Sequence, residues 1–465
     1  MFKFPTNIFD GDLSDKGLAV LVSGVSKDTI ISSTLCKLKS SFSLFVGSSL
    51  LSVSLLFVGC GDGDGDEDRN GGGSNGGGIE QGYYNIFFYD RDLNCIAGAK
   101  VAEGSSANMT DIRKRFNLGA TWYAAGSSIN VANDENYNIN SHISLYATTG
   151  INEINTEAKL GAISNNPTGK YVLTGDITLT SDWEPIGIFK GVFSGNHHII
   201  NGLRIDKTTN NVGLFGILDG AEVKKLGVVI DGSGVIGGSY TGGIAGRLTN
   251  TAHISDSYVI GDVSGENGVG GIAGRIEGGS KITGSYSAGS VKGYERVGGI
   301  AGQIVGEDKG DFAEINNSYS TVDVEAQNYA GGIVGGLDKE GTYIVNTYAA
   351  GSVKAVSNVG GIVGYLYGNA HNNVAINPSV RRDAGAPVSN RIAGYVDAAH
   401  QATNNLAFEG MSGSFSDSSV EANHGISKSA AQLKQRATYE NISWDFNETW
   451  KIDEGASYPK LIWER

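Results

Sequence analysis

From about residue 151 onward, short β-branched apolar runs alternate with clusters of Gly, Asn and Ser, and no stretch holds a 3.6-residue period long enough for a helix. One phrase returns in near-identical form: Gly213-Leu214-Phe215-Gly216, Gly243-Ile244-Ala245-Gly246, Gly271-Ile272-Ala273-Gly274, Gly299-Ile300-Ala301-Gly302, Gly332-Ile333-Val334-Gly335 and Gly361-Ile362-Val363-Gly364. The first glycines of these phrases are 30, 28, 28, 33 and 29 residues apart. A second phrase keeps the same register, at Ser257-Tyr258, Ser285-Tyr286, Ser318-Tyr319 and Thr347-Tyr348. Four residues before each tyrosine stands an isoleucine (Ile254, Ile282, Ile315, Ile344), and five after it a valine (Val263, Val291, Val324, Val353).

One such unit carries too little apolar surface to fold alone, so the units must stack. Stacking extended segments at about 4.8 Å lays equivalent side chains over one another, turning the isoleucines into one internal ladder and the valines into a second. The phrase glycines are expected at corners, supplying positive φ and letting neighbouring walls approach closely. The predicted fold is all-β: a three-sided parallel β-helix of 28–33 residues per coil, after a small β-rich domain. The crossover rule makes it right-handed.

The repeated Val-Gly-Gly-Ile-Ala-Gly phrase resembles the GLUG motif of bacterial surface proteins and of the non-catalytic part of some immunoglobulin A peptidases. The lead-in is similar too, with Tyr171-Val172-Leu173-Thr174-Gly175-Asp176-Ile177, Trp183-Glu184-Pro185-Ile186-Gly187 and the run from Phe189 through Gly195-Asn196-His197-His198 to Leu203. The resemblance covers residues 151–465. It implies a right-handed parallel β-helix on a bacterial surface, often adhesin-like, and no reaction. Residues 151–210 are read as the lead-in and N-terminal cap, and 211–376 as the repeats. Residues 377–465 are read as an irregular segment and C-terminal cap, covering strand edges that would otherwise invite aggregation.

Ahead of the repeats, residues 81–150 combine aromatic strand formers (Tyr84-Asn85-Ile86-Phe87-Phe88-Tyr89) with Trp122-Tyr123 and Leu145-Tyr146-Ala147. Their order resembles the B-repeat of internalin-type surface proteins, which implies a β-grasp-like module. Residues 1–59 hold the most apolar run, Phe42 to Val58, preceded by Lys37 and Lys39. A basic flank and a short apolar stretch ending on a small residue describe an export signal. Residues 1–36 exceed its usual length, so either the genuine start lies downstream or the leader is extended. Ending on Gly59-Cys60 resembles the lipobox of bacterial lipoproteins. That implies cleavage before Cys60, acylation of its thiol, and a place in the cell envelope at the outer membrane or cell surface. Phe57 departs from the leucine which that family prefers three residues before the cysteine. Residues 60–80 are acidic and Gly-rich, which reads as a flexible tether. Glu67 and Gly73 stand where a calcium loop needs glycine and glutamate, so no metal is expected there. Once the leader is removed and Cys60 acylated, Cys95 is the remaining thiol.

Composition narrows the function. Glycine is 70 of 465 residues, and the formal net charge of −14 disfavours nucleic acid as a partner. No His-Glu-x-x-His occurs, and His197-His198 are adjacent, so on a strand they point to opposite faces. Gly232-Ser233-Gly234-Val235-Ile236-Gly237 fits a dinucleotide loop by composition, but a repeat follows where that site needs a helix. Asp256, Gly284, Asn317 and Asn346 share one register, and Asp262, Ser290, Asp323 and Ser352 another, so no ladder of acids forms for glycoside chemistry. No catalytic residue, cofactor or metal site is expected. The tyrosines at 258, 286, 319 and 348 read first as a stabilising ladder and second as an exposed stripe for sugars or proteins. The expected role is a surface-anchored lipoprotein adhering to host protein, glycan or matrix. A carbohydrate-active β-helix enzyme and a passive spacer are the alternatives.

Overall fold

The computed structural model describes residues 83–464, apart from 103–104, 120, 133, 135, 307–311, 384–388, 398–400 and 416–420. The leader, Cys60 and the tether lie outside the described residues. The described residues divide into two compact units, one running up to Ile151 and the other starting at Asn152.

In the first unit, Tyr83–Tyr89 and Cys95–Ala102 form an antiparallel hairpin, and Tyr83–Tyr89 also pairs in parallel with Ile143–Tyr146. Tyr123–Ala124 completes a four-stranded mixed sheet on the far side of Ile143–Tyr146. The helix Met109–Arg115 starts on Asn108, whose side-chain oxygen accepts from the Asp111 amide at 3.0 Å. Phe88 meets Trp122 edge-on at 5.1 Å, over a core that includes Ile86, Met109 and Leu145.

The second unit is a parallel β-helix of three sheets, with eight, ten and fifteen strands. Along the eight-stranded sheet run Ala245–Thr249, Ala273–Glu277, Ala301–Val305, Val334–Leu337, Val363–Leu366 and Ala393–Val396, each paired in parallel with the next. The two expected ladders are present. Ile254, Ile282, Ile315 and Ile344 are register partners in the ten-stranded sheet and fully buried. Val263, Val291, Val324 and Val353 do the same in the fifteen-stranded sheet. At the N-terminal end, the short helix Glu157–Gly161 and the turn after it bury Leu160 and Ile163.

The phrase glycines have a different reason from the one expected. None of the six first glycines takes positive φ; the left-handed corners fall instead on residues such as Asn317, Asn346, Tyr240 and Arg296. The glycines are needed because walls press together. A Cβ on Gly302 would lie 2.2 Å from the Gly268 carbonyl carbon, and one on Gly335 would lie 2.3 Å from that of Arg296.

The tail also differs from the sequence reading. Coiling does not decay after Leu366: Val380–Arg382, Ala393–Val396, Gln401–Thr403, Leu406–Phe408 and Ile426–Lys428 all continue in parallel register. The segment after about residue 429 leaves the coil. Rather than sealing its end, that segment packs along one wall.

Candidate binding site

Two aromatic columns run along the β-helix, and they have opposite fates. The first is the one singled out in the sequence. Tyr258, Tyr286, Tyr319 and Tyr348 are register partners in the fifteen-stranded sheet. Their rings stack at 5.1, 4.9 and 4.7 Å, with planes within 8° of parallel. The tail lies over them as a strap. Trp463 stacks on Tyr258 and Tyr286, while Trp444 and Trp450 sit over Tyr348. The Tyr319 hydroxyl donates to Glu464 Oε2 at 2.7 Å, and the Tyr348 hydroxyl to the Pro459 carbonyl at 2.8 Å. Trp463 Nε1 donates to the Gly284 carbonyl at 3.0 Å. Tyr319 and Tyr348 are left 6 % and 4 % exposed, and Tyr258 and Tyr286 half-buried beneath Trp463. A cavity of about 170 Å³ remains beside the column, lined by Asp256, Asn317, Glu448 and Trp463 among others.

Burial pushes the phenols of Tyr286, Tyr319 and Tyr348 well above the ordinary tyrosine value; the neighbouring Glu464 carboxylate adds to this at all three. In the unfolded chain they ionise near pH 10, whereas in the folded chain they stay protonated. The stabilisation is therefore complete below about pH 10 and is lost as pH rises beyond it. Alkaline titration followed by tyrosinate absorbance is expected to show these phenols ionising together with loss of β-sheet circular dichroism. Ionisation of every tyrosine with the sheet signal intact would contradict their burial.

The second column is outward-facing and was not singled out in the sequence. It is built from two positions flanking each glycine phrase. One follows the second glycine and gives Arg247, Arg275, Gln303, Gly336, Tyr365 and Tyr395 as successive register partners. The other is the left-handed corner three residues before the first glycine: Tyr240, Gly268, Arg296, Tyr329 and Asn358. Because each second glycine lets the preceding corner lie against it, the two positions interleave. The Arg275 guanidinium sits 5.2 Å from the Tyr240 ring, and Arg296 is 5.3 Å from Tyr329. Tyr329 meets Tyr365 edge-on at 5.5 Å, and Tyr365 stacks on Tyr395 at 5.4 Å and 7°.

Charges in this column are matched. Glu277 accepts from Arg247 and Arg275, and Arg296 pairs with Glu295 and with Asp338 at 2.8 Å. With its amide turned so that nitrogen faces the acceptor and oxygen the donor, Gln303 bridges the two groups, donating to Asp338 Oδ2 at 3.3 Å and accepting from Arg275 Nη1 at 2.8 Å. Burial raises the Asp338 carboxyl above its ordinary value, against the pull of Arg296 and then Arg275.

Other motifs resolve structurally. His198 is buried with Nδ1 3.3 Å from Asp176. The residues 232–236 belong to the strand Gly227–Ile236, with no helix after it. Asp262 accepts from the Ser290 amide and hydroxyl of the next coil, and Asp323 from the Ser352 amide, so both acids tie neighbouring coils together. Among the described residues no group of His, Cys, Asp or Glu is placed to hold a metal ion, and no helix is long and apolar enough to cross a membrane.

The protein is thus a parallel β-helix built on glycine-phrase repeats, with one wall strapped and another open. Residues 237–264 match the family model of the GLUG motif. Among solved structures, one similar chain is a Bacteroides ovatus protein described as a candidate immunoglobulin A1 protease, at 22 % identity over 67 % of this chain and 92 % of that one, with a TM-score of 0.49. Another is described as IgA1 protease, at 20 % identity over 65 % of this chain and 24 % of that one, with a TM-score of 0.48. This chain therefore spans about a quarter of the second protein's length. A search of curated proteins gives no significant match.

Proposed function

We propose that the protein is a surface-anchored binding protein whose β-helix presents the Tyr–Arg column of the eight-stranded sheet to a host protein, glycan or matrix ligand. The observation that supports this reading is the contrast between the two columns. The ladder on the fifteen-stranded sheet is covered by the chain's own tail, whereas the flanking column ends on Tyr395 at 46 % exposure. Tyrosine and arginine are enriched where interfaces draw their binding energy. The test is adhesion of the full chain to host cells and immobilised matrix. Arg296→Ala combined with Tyr329→Ala is expected to reduce binding by more than tenfold, as for a hot spot of about 2 kcal/mol or more. Undiminished adhesion with an unchanged melting curve would contradict the assignment.

The proposal includes attachment to the cell envelope through an acyl chain on Cys60, supported by the apolar run ending on Gly59-Cys60 and the Gly/Asp tether that follows. Labelling with a palmitate analogue is expected to mark the protein and to be abolished in Cys60→Ala. Label retained in that variant would remove the anchor.

A further inference from the structure

We propose that the outward Tyr–Arg column binds an uncharged polysaccharide chain laid along the coil axis, ending against the ring of Tyr395. This rests on the binding reading above and names its ligand class. Three observations lead to it.

The first is the shape of the aromatic surface. At the end of the column, the rings of Tyr365 and Tyr395 cover each other's faces. Among the described residues Tyr395 stands on the last strand of its sheet, Ala393–Val396, and is 46 % exposed. A half-exposed ring at the end of a stack is a platform for the apolar face of a sugar ring.

The second is the polar lining. Half-buried Arg275, Asp338 and Arg296 form one connected set of planar hydrogen-bonding groups beside the rings, joined through the amide of Gln303, which is itself buried. Their mutual bonds hold them in place, so little side-chain freedom is lost when hydroxyls dock on them.

The third is charge. The three arginines of the column are each paired with carboxylates of Glu277, Glu295 or Asp338. A polyanion would have to break those pairs, and would also approach a chain of net charge −14. A neutral, hydroxyl-rich polymer meets neither obstacle. Coils repeating at about 4.8 Å suit an extended chain, whose weak contacts add along its length.

The test is affinity electrophoresis of the full chain in gels containing galactomannan, xyloglucan or yeast mannan, and in gels containing polygalacturonate or heparin, with host-cell adhesion measured in parallel. Retardation by at least one neutral polymer and by neither polyanion is expected. Tyr395→Ala should weaken that retardation about tenfold, the value of one lost ring stack, with the melting curve unchanged. Adhesion to cells without retardation by any neutral polymer would overturn the glycan assignment and leave the binding reading standing. Retardation by the polyanions alone would overturn it as well. Retardation that Tyr395→Ala leaves untouched would overturn the location. Failure of both adhesion and retardation would overturn the binding reading itself.

Discussion

Trp450→Ala is expected to release the tail from the β-helix. The Trp450 side chain is fully buried, stacks on Trp444 at 4.5 Å and lies over the rings of Tyr319 and Tyr348. Truncating a buried tryptophan costs about 3–5 kcal/mol, because the transfer energy and the cavity add. The strap is held mainly by aromatic contacts and a few hydrogen bonds, so this loss is a large share of its local stability. The coils beneath keep their own ladders. The result should therefore be local: intrinsic fluorescence shifts red while β-sheet circular dichroism persists. Fluorescence suits this because Trp444, Trp450 and Trp463 make up three of the five tryptophans. Trp450→Phe should restore most of the loss, since the indole Nε1 meets no acceptor among the described residues and packing is what the ring supplies. A variant melting like the parent, with unshifted fluorescence, would show that the tail does not clasp the wall.

Gly302→Ala is expected to be more damaging than its single added methyl group suggests. The new carbon would sit 2.2 Å from the Gly268 carbonyl carbon and 2.3 Å from the Val269 nitrogen, both backbone atoms of the preceding coil. No rotamer relieves a clash between Cβ and backbone, so two coils must separate and lose parallel pairing. Overpacking of this kind costs about 1–3 kcal/mol when neighbours can give, and more where only backbone is met. Gly232→Ala is the control, because its Cβ would meet nothing within 4 Å. The melting midpoint should fall by several degrees for Gly302→Ala and stay within about a degree for Gly232→Ala. Equal midpoints would mean that the phrase glycines are not contact points between coils.

These expectations separate what the sequence makes legible from what it hides. Ile254, Ile282, Ile315 and Ile344 are readable because burial demands the same apolar residue at each turn, and a solenoid writes that demand into a period. The tyrosine ladder is readable for the same reason, but its covering is not. The Tyr348 hydroxyl reaches Pro459, 111 residues away, and Trp463 reaches Gly284, 179 residues away. No local pattern encodes contacts at that range. The role of the glycines is half legible: their spacing marks the coils, while the left-handed corners belong to residues such as Arg296 and Tyr240, whose backbones press on the glycines of other coils. The outward column is the least legible. Its positions vary from Arg275 to Gln303 to Tyr365, because a surface column need not repeat one residue. Its signal was positional, a concentration of Tyr and Arg at two places flanking each phrase.

The measurement that tests the account most directly is tyrosine nitration of the native protein, with each tyrosine located by peptide mass spectrometry. The account predicts rapid modification of Tyr395 and protection of Tyr319 and Tyr348, which are 6 % and 4 % exposed. Rapid modification of Tyr319 and Tyr348 with Tyr395 protected would reverse the assignment of the open and covered walls, and the proposed binding surface would fall with it.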